Sequence, residues 1–251
     1  MHQNFLKSTK VQSIISFSVA SIKMNQSGFN PSYIGSRSDI LNLVPPDCQK
    51  ILDIGCSIGT LGAQIKDNRS DAEVVGIELD KGMAEKAIEK LDKVIVGNIE
   101  DMVLTDHLKQ NYFDCIIFGD VLEHLIDPWT VLRELTLYLK PDGTVIASMP
   151  NVRHYSSICS LLFKGYWPYR DRGIHDRTHL RFFTKKNILE LFHRSDLQIN
   201  KIIPHYRIFE NPFNLNRFFR KLNLYSQYFA IPLLRNFLAF QYLIVATYKK
   251  T

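Results

Sequence analysis

A glycine-rich turn after an acidic residue is the first feature with chemical meaning. Asp53 lies near the end of a short apolar run, and Gly55 and Gly59 follow it before a helical pattern begins. Glycine lets the backbone approach a ligand closely and adopt conformations that other residues avoid. The Asp53 carboxylate can accept hydrogen bonds from a cationic or hydroxylated group. Glu78, which ends the next apolar run, can hold both hydroxyls of a ribose.

The same turn argues against a dinucleotide ligand. The fingerprint G-x-G-x-x-G, counted from Gly55, requires glycine where the chain has Ser57 and Thr60. Asp53 would also repel a pyrophosphate, whereas it would attract an amino group. These residues therefore fit a nucleoside with a cationic tail and no phosphates, a description that S-adenosylmethionine meets.

Strands that alternate with helices must position these residues. The predicted strands cover residues 50–54, 72–78, 93–96, 113–118, 144–149, 197–203 and 241–248, and the predicted helices cover 39–44, 61–66, 81–90, 129–139 and 184–193. Residues 140–143 read as a turn and Thr184 as a helix N-cap. The alternation predicts a parallel sheet with helices on both faces, and ligands in such sheets lie outside the carboxyl ends of the strands.

Five segments in this order resemble the class I S-adenosylmethionine-dependent methyltransferases. The nearest branch contains ubiquinone-type O-methyltransferases and methyltransferases of glycan assembly. The segments are Asp53 to Gly59, Gly76 to Asp80, Phe113 to Leu125, Leu139 to Gly143 and Asp176 to Thr184. The resemblance covers residues 39 to 203 and implies an α/β fold: a doubly wound, mostly parallel, seven-stranded Rossmann-like sheet with a helical and aromatic insertion and a C-terminal cap.

The resemblance also implies roles for individual residues around the cofactor. The methionine moiety would lie against the first turn, the ribose against the end of the second strand, the adenine against the loop after the third, and the sulfonium and methyl group against the loop after the fourth. The cofactor-binding residues implied are Asp53, Gly55, Ser57, Gly59, Glu78, Asn98, Ile99, Asp120 and Val121. Ser57 replaces the usual middle glycine, and Asn98 stands where an acid is common.

A hydroxyl nucleophile often needs a proton acceptor, and three histidines are candidates for that catalytic role. They are His124, His154 and His179. A structural role, in which the imidazole ties one loop to the next helix, is the alternative for His124. His175, Asp176 and His179 lie close together in the chain, but no further ligands complete a set, so we predict no metal site.

Aromatic and cationic residues after the fifth strand are candidates for substrate binding. Trp167, Tyr169, His175 and Arg181 are the residues concerned. Aromatic faces beside cations suit a sugar ring, a quinone-like ring or a phosphorylated group. The alternatives are a lid that only excludes water and, for Arg181, an anchor that fixes its segment onto the sheet.

Composition and charge set the broad class. The chain has 251 residues, 45% of them hydrophobic, with 31 Lys+Arg and 25 Asp+Glu, which gives a net charge of +6. This apolar content excludes a disordered chain, and four scattered cysteines exclude a disulfide framework. The cysteines therefore favour a reducing, cytoplasmic location. Because the acidic excess lies before residue 151 and the basic excess after it, an anionic partner is expected for the second half.

The domain prediction is a single methyltransferase domain over residues 29–251, with an N-terminal extension over 1–28. Met24 is an alternative start. Insertions on the substrate side are expected at 151–183 and 204–240. Aromatic residues interleave with cations over 213–240, a pattern that suits a membrane surface, a dimer face or a cap on the active site.

The function predicted from these features is S-adenosylmethionine-dependent O-methylation of a small, hydroxylated, anionic acceptor such as a sugar or glycan precursor, phosphorylated or not. Basic charge leaves an RNA methyltransferase as an alternative, although the chain has no recognisable RNA-binding module. The other alternative is a non-catalytic binding module with the same fold. The residues do not identify the acceptor, the methylated atom or the oligomeric state.

Overall fold

The computed structural model describes residues 35–207 and 235–249. The strands are β1 (Lys50–Ile54), β2 (Glu73–Glu78), β3 (Lys93–Val96), β4 (Phe113–Gly119), β5 (Leu139–Pro150), β6 (Leu197–Tyr206) and β7 (Ala239–Tyr248). The helices are α1 (Ser38–Leu41), α2 (Thr60–Asn68), α3 (Lys81–Ile88), α4 (Pro128–Thr136), α5 (Tyr155–Lys164), α6 (Lys185–Arg194) and α7 (Arg235–Leu238). The N-terminal extension predicted over residues 1–28 and most of the insertion predicted over 204–240 lie outside the described residues.

One sheet contains all seven strands, in the order β3-β2-β1-β4-β5-β7-β6. β1 to β5 pair with one another in parallel, and β7 runs antiparallel to both β5 and β6. The chain order reverses between β1 and β4, and such a switch point opens a crevice at the carboxyl ends of the strands. The predicted doubly wound, mostly parallel, seven-stranded sheet is confirmed.

Alternating side chains along each central strand bury both faces of the sheet. On β4, Cys115 and Ile117 face one hydrophobic cluster, whereas Ile116 and Phe118 face the other. The first cluster includes apolar residues of α1 and α2, and the second includes those of α4 and α6. A strand covered on both faces reads as a continuous apolar run, which is why β4 was recognisable in the sequence.

Helix starts follow ordinary capping chemistry. Thr184 caps α6 with a capping box, in which its hydroxyl accepts from the amide of Asn187 and the Asn187 side chain accepts from the Thr184 amide. The prediction of Thr184 as an N-cap is confirmed. Asp80 caps α3 and Asp127 caps α4 through the side chain alone, and each carboxylate accepts from a backbone amide three residues further on.

The structure differs from the predicted elements most clearly at two places. Residues 140–143, predicted as a turn, lie within β5, where the pairing with β4 shifts register between Phe113 and Cys115. β6 continues to Tyr206, past the predicted start of the second insertion at 204, because β7 offers a partner from Ala239 onward.

Among the described residues, no helix has the length and apolar content needed to cross a lipid bilayer.

Asp114 ties together the starts of three strands. Its Oδ2 accepts from the amides of Gln49 (3.1 Å) and Lys50 (2.8 Å), and its Oδ1 accepts from Lys140 Nζ at 2.5 Å. Lys140 and these backbone amides hold the pKa of Asp114 below its ordinary value, although partial burial opposes them. The ionised side chain therefore stabilises the fold above pH 4.

We expect Asp114→Asn to lose about 1–2 kcal/mol of unfolding free energy at pH 7, because charge-assisted hydrogen bonds are lost. A carboxyl with a lowered folded pKa stabilises above its unfolded pKa and loses that effect as the pH falls through the folded value. The difference from wild type should therefore shrink below pH 4. Urea denaturation at several pH values measures it, with exposed Asp142→Asn as the control. A difference that persists undiminished at acid pH would contradict the electrostatic account.

Candidate functional site

The turn after β1 brings the backbone close to the carboxyl edge of the sheet. Gly55, Ser57 and Gly59 all have positive φ, at 68°, 52° and 73°. A Cβ at position 55 would lie 2.7 Å from Val121 Cγ2, so only glycine lets this turn touch the loop after β4. The Gly55 amide donates to the carbonyl oxygen of Ile77 at 2.8 Å, which ties the turn to β2.

Asp53 is a buried carboxyl at the switch point. It lies on β1 between β2 and β4, and only 3% of its surface is exposed. Burial raises the pKa of Asp53 to about 7, the negative charge of Glu78 adds to the rise, and Arg37 opposes it. A carboxyl in this state gains most from a cation placed beside it, because the cation offsets the cost of burying the charge.

Glu78 joins the turns that follow β1 and β2. Its Oε2 accepts from the amide of Ser57 at 2.8 Å and its Oε1 from the amide of Asp80 at 2.9 Å. Burial raises its pKa, although these amides oppose the rise. Each carboxylate oxygen retains acceptor capacity. The orientation suits the predicted contact with two neighbouring hydroxyls, which stays a prediction.

The loop after β3 is folded on itself. The Asn98 side-chain nitrogen donates to Asp101 Oδ2 at 2.7 Å, and its oxygen accepts from the amide of Glu100 at 3.2 Å. Ile99 is half-buried and packs against the hydrophobic core. The predicted adenine contacts of Asn98 and Ile99 stay predictions, and Asn98 retains one side-chain N–H and one lone pair of its oxygen for a ligand.

Asp120 follows β4 in a left-handed conformation, with φ of 60°. Its Oδ2 accepts from Arg37 Nη1 at 2.6 Å, and its Oδ1 accepts from Ser148 Oγ at 2.7 Å. The side-chain amide of Gln241 also donates to Oδ1. Three elements thus converge on the carboxylate that the resemblance places beside the methyl group.

Arg37, Ser148 and Gln241 are site residues that sequence reasoning missed. They lie 83, 28 and 121 residues from Asp120 in the chain. Burial alone would lower the pKa of Arg37, but Asp120 and Asp39 raise it above its ordinary value. The Arg37 Nε also donates to Asp39 Oδ1 at 3.0 Å. The nearby Arg-x-Asp pair was the one local signal for this network.

A second cluster joins the loop after β4 to the segment before α6. His124 and His179 pack edge to face with ring centroids 4.7 Å apart, and His179 Nε2 lies 4.0 Å from Glu123 Oε1. Burial lowers the pKa of His124. Burial and the neighbouring His124 lower the pKa of His179 to about 4. Both imidazoles are therefore neutral at pH 7, and two of the three predicted bases lie together.

Backbone contacts hold this segment in place. The carbonyl oxygen of Glu123 accepts from the amides of Leu180 and Arg181, both at 2.9 Å. The Arg181 guanidinium donates to the carbonyl oxygen of Ile126, with Nε at 2.9 Å, and lies 5.7 Å from the Trp129 ring. The two alternatives for Arg181 were a contact with the substrate and an anchor that fixes its segment onto the sheet. These contacts favour the anchor.

His154, the remaining predicted base, lies at the start of α5. It is fully buried, its Nδ1 contacts Ser156 Oγ at 2.8 Å and its Nε2 contacts the carbonyl oxygen of Arg207 at 2.7 Å. Because both ring nitrogens are engaged, His154 is less suited than His124 or His179 to accept a proton from a substrate.

The other predicted substrate residues lie along the first insertion. Trp167 and His175 pack against each other at 4.7 Å, and His175 Nε2 contacts Ser157 Oγ at 3.1 Å. His175 is buried, whereas Tyr169 is 67% exposed. The structure therefore brings Trp167 and His175 together as a packed pair, which His175 joins to α5 through Ser157, and leaves Tyr169 at the surface.

Comparison with known proteins agrees with this geometry. A family model for the methyltransferase domain matches residues 31–202. The ubiquinone biosynthesis O-methyltransferase of Aeromonas salmonicida (strain A449) is 27% identical over 176 residues, which cover 67% of this chain and 71% of that protein. The phosphoethanolamine N-methyltransferase 1 of Arabidopsis thaliana is 35% identical over 111 residues, which cover 43% of this chain and 22% of that protein.

Solved structures share the fold at low identity. A putative methyltransferase in complex with the Trm112 methyltransferase activator of Haloferax volcanii matches with a TM-score of 0.59 and 15% identity, covering 85% of this chain and 88% of that one. A SAM-dependent methyltransferase from Archaeoglobus fulgidus matches with a TM-score of 0.56 and 18% identity, covering 86% and 96%. Since the family model spans residues 31–202 and these structures have the same fold, the chain belongs to the methyltransferase domain family.

Proposed function

We propose that this enzyme transfers a methyl group from S-adenosylmethionine to a hydroxyl of an anionic small molecule. The observation that carries the proposal is the buried carboxyl of Asp53 at the switch point, beside a glycine turn and next to Glu78. A buried acid at this position opposes a phosphate and favours an ammonium group. S-adenosylmethionine has an ammonium group at one end and ribose hydroxyls at the other.

The reaction requires that the acceptor oxygen, the methyl carbon and the sulfur lie in line, and it requires one group that accepts a proton. The acceptor oxygen forms a bond to the methyl carbon while the carbon–sulfur bond breaks, and the sulfonium becomes the neutral thioether of S-adenosylhomocysteine. The proton of the hydroxyl passes to a base. His124 and His179 are suited to this role, because both are neutral and lie in or beside the loop that follows β4. Asp120, held from three sides, would position that loop.

Basic side chains support an anionic acceptor. The Arg207 guanidinium lies 4.8 Å from the Phe240 ring, and no carboxylate lies within ion-pair distance of it in residues 35–207 and 235–249. Burial lowers the pKa of Arg207, while Asp120 and Asp39 act in the opposite direction. Arg207 is therefore a cation near Asp120 with no carboxylate paired to it among the described residues, and a phosphate or carboxylate of the acceptor could pair with it.

Similarity to an O-methyltransferase over most of its length favours oxygen as the methylated atom. The shorter match to an N-methyltransferase keeps a nitrogen acceptor as the second candidate. The two are distinguished by locating the added methyl group on oxygen or on nitrogen in the product by tandem mass spectrometry.

Asp53→Asn should weaken binding of S-adenosylmethionine and S-adenosylhomocysteine at least tenfold, about 1.4 kcal/mol, because the ammonium loses its charged partner. Glu78→Gln should weaken both ligands as well. Isothermal titration calorimetry measures the affinities, with exposed Asp67→Asn on α2 as the matched control. Asparagine keeps the shape of the buried side chain, so folding is expected to survive. Wild-type affinity in Asp53→Asn would refute the assignment of this pocket.

Cofactor binding should release a proton near pH 7. The Asp53 carboxyl, with a pKa of about 7 in the free protein, is partly protonated there, and the incoming ammonium lowers that pKa. Affinity should therefore rise as the pH increases from 5.5 to 7. Calorimetry in buffers of different ionisation enthalpy counts the protons. Asp53→Asn should abolish the release, and equal release in that variant would assign it to another group.

Transfer of labelled methyl from S-adenosylmethionine should favour phosphorylated or carboxylated hydroxy compounds over their neutral counterparts. Arg207→Gln should raise KM for the anionic acceptors at least tenfold and leave kcat largely unchanged, because it removes a ground-state contact. Arg194→Gln, on the exposed face of α6, serves as the control. Equal rates with charged and neutral acceptors would show that charge does not select the acceptor.

A further inference from the structure

A cavity of about 280 Å³ opens at the amino-terminal edge of the sheet, where β2, β3 and β4 begin. The predicted cofactor residues Asp53, Glu78 and Asp120 lie at the opposite edge, where the strands end. β4 has seven residues. Because a strand rises about 3.3 Å per residue, the two edges are about 20 Å apart. A small ligand in this cavity would therefore not contact the cofactor residues.

The floor of the cavity is apolar. Val75, Leu108 and Phe113 line it, and all three are buried members of the hydrophobic cluster that also contains residues of α4 and α6. The Tyr112 ring forms a wall and packs edge to face on Phe113, with ring centroids 5.2 Å apart. In another protein, a dry cavity of about 150 Å³ holds benzene. The cavity in this chain therefore has room for one ring and a substituent.

The carboxylate among the lining residues, Glu73, is already paired within the protein. The Tyr112 hydroxyl donates to Glu73 Oε2 at 2.7 Å, and Lys50 Nζ lies 3.4 Å from the same oxygen. Lys50 Nζ also donates to the Tyr112 hydroxyl at 2.5 Å. Because Lys50 offsets the charge of Glu73, the other rim residues decide which charge the cavity attracts.

Two ammonium groups on the rim have no carboxylate within ion-pair distance in the part of the chain that the structure describes. Lys93 begins β3, and its Nζ donates to the carbonyl oxygen of His107 at 2.8 Å, which uses one of its three N–H groups. Lys109 Nζ lies 6.0 Å from the centroid of the Tyr112 ring. Ammonium groups without a carboxylate partner, above an apolar floor, favour a ligand that has an anionic group.

We propose that this cavity binds a small organic anion that has one ring and one carboxylate or phosphate group. The ring lies on Val75, Leu108 and Phe113, and the anionic group pairs with Lys93 and Lys109. Small-molecule sites commonly combine an apolar lining with a few polar groups that fix the orientation of the ligand. The site is separate from the edge that would hold the cofactor, so the proposal does not rest on the proposed methyl transfer.

The probes are para-fluorobenzoate and para-fluorophenyl phosphate, and titration followed by fluorine NMR measures their affinity. The titrated protein is Arg207→Gln, because this variant lacks the anion contact proposed for the methyl acceptor. We expect saturable binding of at least one probe. The neutral para-fluorobenzyl alcohol keeps the ring and should bind about tenfold more weakly. Acetate, which keeps the charge without the ring, should displace the probe only at concentrations about tenfold higher than benzoate needs.

Substitutions on the rim locate the bound probe. Lys93→Gln and Lys109→Gln, each added to Arg207→Gln, should weaken binding about threefold, and together about tenfold, because each removes one positive charge. Glutamine keeps an N–H donor for the His107 carbonyl oxygen, and both positions are exposed, so folding is expected to survive. Lys186→Gln, at an exposed position on α6, is the matched control and should leave the affinity unchanged.

Failure of Arg207→Gln to bind either probe would overturn the proposal. So would unchanged affinity after both rim substitutions, equal affinity for the neutral alcohol, or an equal loss in Lys186→Gln. Binding of S-adenosylhomocysteine is measured in parallel on the same protein. If the cofactor product binds and the probes do not, this proposal fails and the methyltransferase proposal stands. If the probes bind and the cofactor product does not, the reverse holds.

Discussion

The parallel pairing of β1 with β2 on one side and with β4 on the other places the predicted site residues of this enzyme. Because all three strands point the same way, the residues that follow them meet at one edge of the sheet. Asp53, Glu78 and Asp120 reach this edge from separate parts of the chain. Gly55 allows the first turn to approach Val121 closely enough for one ligand to contact both loops.

The carboxylates concentrated at this edge of the sheet repel one another, and their surroundings in the fold differ from one acid to the next. Asp120 is neutralised within the protein by Arg37 and further held by Ser148 and Gln241. Asp53 has no such ion pair among the described residues, and burial raises its pKa to about 7. Glu123 is similarly buried and its pKa is raised. Within the described part of the chain, Asp53 is therefore an acid for which an external cation would be favourable.

The segment between α5 and α6 places His179 beside the loop that follows β4. The carbonyl oxygen of Glu123 fixes it through the amides of Leu180 and Arg181, and the Arg181 side chain extends the attachment to Ile126. His179 is held beside His124 as a result. A local backbone attachment therefore decides which histidines can act together, and it separates them from His154, which has both ring nitrogens engaged at the start of α5.

The sequence by itself determined the α/β class, the strand and helix positions and the glycine turn, because burial of both sheet faces and the demands of tight turns act over a few neighbouring residues. It also located Asp53, Glu78 and Asp120 at strand ends. Only the tertiary structure decided that Arg37 and Gln241 hold Asp120, and that His179 lies beside Glu123 and His124. Contacts between residues dozens of positions apart depend on how the elements pack, and that packing leaves no periodic or spacing signal in a single chain.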